Sequence, residues 1–110
     1  MTALIYCPFP DAEAARRIGD ILIAEGLIGC INIGGSLEAL FVWQGERGSG
    51  TECPALLKTD AAMLDRVISR LEDLHPYDAP AILGWPCVGG SATNSWLAGL
   101  HGGNRGDDKQ

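Results

Sequence analysis

The sequence predicts an α+β domain with the order strand, helix, strand, strand, helix, strand, in which two helices cover one face of an antiparallel sheet. Three observations carry that reading. Short apolar runs alternate with two amphipathic stretches at helical spacing. The two middle runs follow each other with only a glycine-rich connection between them. A chain of 110 residues, 46% of them hydrophobic, is enough for one core and leaves little room for a second domain.

The first strand is Ala3-Leu4-Ile5-Tyr6-Cys7, stopped by Pro8 and Pro10. Asp11 then supplies an N-cap and Glu13 a favourable charge for a helix over 11–26. Ala14, Ala15, Ile18, Ile21 and Leu22 form its inner side, and Gly26 closes it. Leu27 to Ile33 begins the second strand and Leu37 to Trp43 resumes it, with Gly34-Gly35 as a bulge or bend. Gln44 to Gly50 reads as a hairpin connection and Thr51 to Lys58 as the returning strand, in which Pro54 needs an edge or a bulge because it lacks an N–H. Thr59 or Asp60 caps a second helix with the stripe Met63, Leu64, Val67, Ile68, Leu71 and Leu74, ended by Pro76. Ala81 to Cys87 is the fourth strand and Ser91 to Leu100 a short terminal helix. The domain is expected over 1–101 and a disordered tail over 102–110, which has nothing to bury.

This order is the split βαβ, or ferredoxin-like, plan. The run from Leu27 to Trp43 would extend ~56 Å at ~3.3 Å per residue, against a radius of gyration of ~13 Å expected for a chain of this length. The hairpin must therefore bend or project, and a projecting hairpin has unpaired edges that a second copy of the chain can cover. A homo-oligomer is expected on that ground.

Eight basic residues against fourteen acidic ones give a formal charge of −6, which repels phosphate backbones, so nucleic acid is a poor partner. No apolar run is long enough for a membrane span and the N-terminus has no basic leader, which predicts a soluble cytoplasmic protein. Cys7, Cys30, Cys53 and Cys87 are dispersed, without a C-x-x-C, and read as thiols in a reducing compartment.

The topology brings Cys7 and His75 to one end of the sheet. A thiolate and an imidazole suit copper or zinc better than magnesium or calcium. Two ligands are too few for a structural zinc centre, so a third would come from Cys53, Asp78, water or another subunit. The plainer alternative makes Cys7 core filler and His75 a helix cap. The segment Leu74-His75-Pro76-Tyr77-Asp78-Ala79-Pro80 likewise reads either as a rigid connector with a bonded Tyr77 hydroxyl or as the floor of a pocket between subunits. No phosphate-binding loop, nucleophile elbow or zinc-protease motif is present, His101 sits at a frayed helix end, and no catalytic residue is expected. Trp43, Trp85 and Trp96 read as core or interface anchors.

Several segments taken in order resemble the CutA-type divalent-cation tolerance family: Cys7-Pro8-Phe9-Pro10-Asp11-Ala12-Glu13, Gly29-Cys30-Ile31-Asn32-Ile33, Phe41-Val42-Trp43-Gln44-Gly45-Glu46, Leu57-Lys58-Thr59, Leu74 to Pro80 and Ser95-Trp96-Leu97. The resemblance covers about residues 3 to 100. It implies a ferredoxin-like homotrimer whose long hairpins pair between subunits, and a link to divalent metal tolerance with copper as the usual ligand. The family's proposed copper ligands fall on Cys7 and His75. Leu74 stands where some members have a second histidine, and Ala81 where the family commonly has an acidic residue. The alternative is a trimeric scaffold or signalling protein resembling PII-type regulators, which take a small molecule between subunits.

Overall fold

A computed structural model describes residues 1–100, in which five strands and three α-helices follow one another. Strand β1 spans Thr2–Phe9, helix α1 Ala12–Ala24, β2 Cys30–Ile33, β3 Leu37–Trp43, and β4 Glu46–Asp60. A short 3₁₀ turn, Ala61–Met63, leads into α2 at Leu64–Leu74, followed by β5 at Leu83–Cys87 and α3 at Ser91–Ala98. The sheet is antiparallel in the order β2-β4-β1-β5, and β3 pairs with the first half of β4. The tail expected over 102–110, and His101, lie outside the described residues.

Helix α1 starts where the sequence predicts: the Asp11 carboxylate accepts from the Ala14 N–H at 2.8 Å. Its end is a Schellman turn. Gly26 takes φ 72°, its N–H donates to Ile23, and the Leu27 N–H reaches back to Leu22 at 3.0 Å. Asp60 caps the 3₁₀ turn, not α2 itself, by accepting from the Ala62 N–H. Both helices press one face onto the sheet. Ile18, Leu22, Val67 and Leu71 meet Ile5, Cys7, Phe9, Ala55 and Leu57 in one core cluster.

Two expectations need correction. The hairpin connection is Gln44-Gly45, not Gln44 to Gly50: both residues have positive φ, 52° and 81°, so a two-residue turn of the twist-matched kind suffices. Residues 46–50 therefore belong to the strand, and β4 becomes long enough to carry both β2 and β3. The second strand is also two strands. Cys30 lies opposite Lys58 and Leu37 opposite Glu52, so the stretch between takes one residue more than β4 does, a bulge at Gly34 to Ser36. Pro54 sits at that interruption. Its carbonyl accepts from the Gly34 N–H at 2.8 Å, so its missing donor faces the gap where β2 has ended.

Alternation along the strands sends a second set of side chains to the face away from α1 and α2. Two cross-sheet rows result: Asn32, Leu56, Tyr6 and Leu83, then Cys30, Lys58, Leu4 and Trp85. Helix α3 closes only the Thr2 end, where the Thr2 hydroxyl donates to Asn94 Oδ1 at 2.7 Å. Leu4, Tyr6 and Leu56 are half-buried, and Leu83 and Trp85 remain 61% and 42% exposed. Beyond this face the β3–β4 ribbon carries Leu40, Phe41, Val42 and Trp43, all exposed, and the body is 51 Å long against 27 and 24 Å in the other directions.

Candidate functional site

At the Phe9 end of the sheet, β1, the end of α2 and the connector to β5 meet. Cys7 occupies an inward position of β1 opposite Ala55 and is fully buried. Its Sγ lies 3.8 Å from the Pro8 carbonyl. Burial pushes the thiol up to about 12 from its ordinary 9.0, and the Glu52 charge adds to the shift. Cys7 is therefore a neutral thiol at physiological pH.

His75 is the C-cap of α2. Its N–H closes the helix on Leu71 at 2.8 Å, and Pro76 prevents continuation. The ring is buried, stacked on Phe9 at 4.9 Å and tilted against Tyr77 at 4.8 Å. Its tautomer follows from its partners. The Tyr77 backbone N–H, which can only donate, points at Nδ1 at 3.2 Å, so Nδ1 is the acceptor. Nε2 then carries the proton and donates it to the Pro8 carbonyl at 2.8 Å. The structure thus brings Cys7 and His75 to one carbonyl oxygen, while also giving both ring nitrogens a partner.

The other candidates separate. Cys53, opposite Phe9, donates its thiol to the Gly34 carbonyl at 3.3 Å. Asp78 is exposed on the connector. Among the described residues no group of three or more His, Cys, Asp or Glu side chains is placed to hold a metal ion. Cys30 and Cys87 lie toward the other end of the sheet, opposite Lys58 and Thr2.

Glu52 is the residue sequence reasoning missed. It accepts the Tyr77 hydroxyl at 3.1 Å across the site. Burial, together with this bond and the Glu52 charge, raises the Tyr77 phenol above its usual range. Strand parity was the available signal, since a carboxylate beside inward-facing Cys53 must point to the other face. Nothing local announces its partner on a distant loop. Pro8, Glu52, Tyr77 and Asp78, with Phe41 and Trp43 from the ribbon, line a crevice of about 570 Å³.

The raised thiol has a consequence for stability. Above pH 9.0 the unfolded chain ionises Cys7 while the fold keeps it neutral. Its contribution is complete below that pH and is lost as pH rises toward about 12. In denaturant melts from about pH 8 to about pH 11, Cys7→Ser is expected to show a shallower loss of stability than wild type. Parallel curves would contradict the assignment.

Fold and site together define an α+β protein with α1 and α2 on one side of an antiparallel sheet, a buried thiol–imidazole pair, and no helix, among the described residues, that is long and apolar enough to cross a membrane. The chain belongs to the CutA1 divalent ion tolerance protein family, whose model matches residues 3–99. That family is named for ion tolerance and not for a reaction. A divalent-cation tolerance protein CutA from Pyrococcus horikoshii is 36% identical over 80 residues, covering 73% of this chain and 78% of its own. The chain spans about half the length of the chloroplastic CutA proteins of Oryza sativa and Arabidopsis thaliana, 50% and 48%. Among solved structures, the divalent ion tolerance protein CutA1 from Ehrlichia chaffeensis superposes with a TM-score of 0.81 at 33% identity, covering 88% of this chain and 92% of that one. The periplasmic divalent cation tolerance protein CutA from Archaeoglobus fulgidus gives 0.82 at 28% identity, covering 89% and 96%.

Proposed function

We propose that the protein is a non-enzymatic, cytoplasmic homotrimer of one domain per chain (1–101), with split βαβ topology, that takes up copper or a similar divalent ion at Cys7 and His75. The observation that carries this reading is the convergence of the Cys7 thiol and the His75 imidazole on the Pro8 carbonyl. A sulfur and a nitrogen donor suit a borderline-soft ion. Assembly is supported by the apolar sheet face and the exposed ribbon, which single copies leave in water. Four free thiols fit a reducing compartment.

The resting site also sets the terms of binding. Nε2 faces the Pro8 carbonyl that the Cys7 sulfur also approaches and is the proposed ligand atom, so binding breaks the Nε2–Pro8 bond and moves the ring proton to Nδ1, which gives up the Tyr77 N–H. Cys7 must surrender its proton to bind an ion, so uptake strengthens as pH rises. A titration with Cu(II) or Zn(II) is expected to release about one proton per ion. Cys7→Ser should abolish that release, and His75→Ala should weaken binding by more than the ~10-fold that losing a supporting residue costs. Unchanged affinity in both variants would sink the reading. A second reading, a PII-like scaffold taking a small molecule between copies, is favoured by the crevice under the ribbon.

A further inference from the structure

The crevice at the foot of the ribbon has a composition that the thiol–imidazole pair does not explain. Its volume, about 570 Å³, is that of a small-molecule site. Its walls are largely apolar: Phe41 and Trp43 from the ribbon, the Tyr77 ring, and Pro8. Ala79 and Ala81 contribute little bulk, which leaves the space open. The charged side chains that line it are Glu52 and Asp78, both carboxylates, and among the described residues no lysine or arginine does. Glu52 is held in place by the Tyr77 hydroxyl at 3.1 Å and keeps its second oxygen. Asp11 and Glu52 both act on Tyr77 electrostatically, so negative potential extends past the lining residues.

We propose that this crevice binds an organic cation with a flat apolar body, the cationic group on Glu52 and Asp78 and the body against Phe41, Trp43 and Tyr77. The inference deepens the small-molecule reading and is independent of metal uptake. An anionic ligand would meet two carboxylates and no compensating base. A bare metal ion would leave the aromatic walls unused and, among the described residues, find no group of three or more His, Cys, Asp or Glu to hold it. A planar cation uses both features: charge-assisted bonds to carboxylate and an aromatic face for its ring.

The test compares benzamidinium, neutral benzamide and benzoate on the assembled protein in the presence of a chelator, by calorimetry and ligand-observed NMR. Benzamidinium is expected to bind, benzamide more weakly and benzoate not at all. Glu52→Gln, which can still accept the Tyr77 hydroxyl, should weaken benzamidinium about ten-fold or more and leave benzamide unchanged. Asp78→Asn should weaken it as well, which guards against misfolding of one variant. Equal binding of the three probes, or stronger binding of benzoate, overturns the cation class while the small-molecule reading survives. Binding of none overturns both.

Discussion

Leu57→Ala should lower the unfolding free energy by about 2–5 kcal/mol, a large part of the about 5–15 kcal/mol typical of a domain. Leu57 is fully buried in β4, opposite Ile5 on one side and Ile31 on the other, and it points into the core shared with α1 and α2. Flanked by paired strands on both sides, the site has little freedom to collapse, so most of the cavity persists. Leu57→Met, which conserves volume, should cost less than about 1.5 kcal/mol. Denaturant melts of both at one fixed protein concentration check this, because the proposed assembly would make apparent stability concentration-dependent. A loss under about 1 kcal/mol for the alanine variant would show that the core repacks around the gap.

Trp85→Glu is expected to break the proposed homotrimer. Trp85 lies beside Leu4 in a cross-sheet row on the face that the helices leave open, and it is 42% exposed in a single copy. Covering that face with another copy would desolvate the new carboxylate two strands away from Lys58, the one basic residue of its row, at a cost of several kcal/mol per site. Light-scattering mass should fall to that of one chain, 11.6 kDa. Ile23→Glu, on the outer side of α1 and 44% exposed, should leave the mass unchanged. A Trp85 variant that keeps its full mass would place the contact surface elsewhere.

What was legible in the sequence depended on how local the signal was. Asp11 and Gly26 announced both ends of α1 because a cap is a short-range event whose partners lie within a turn. The glycine pair at 34–35 announced the bulge for the same reason. The extent of β4 was hidden, since Glu46 to Gly50 is polar and glycine-rich and its strand conformation comes from pairing with β3, not from propensity. At Gly48 the Phe41 ring approaches to within 2.6 Å of where a Cβ would sit, a cross-strand fit invisible in either segment alone. Chain order alone indicated that Cys7 and His75 share one end of the sheet. It did not reveal that the imidazole would spend both nitrogens on backbone groups, nor that Glu52 would reach Tyr77, because those bonds join β1, β4 and the connector only after the sheet has formed.

The interruption at Gly34 to Ser36 works as an elbow. From there the arm to the Gln44-Gly45 tip runs ~23 Å at ~3.3 Å per residue, so a swing of ~10° at the elbow carries the tip through ~4 Å. Three small residues thus act as the fulcrum of a long lever. Changes there re-aim the aromatic arm, and with it the gap above Tyr77, and the interior side chain they touch is Cys53, whose thiol is bonded to the Gly34 carbonyl.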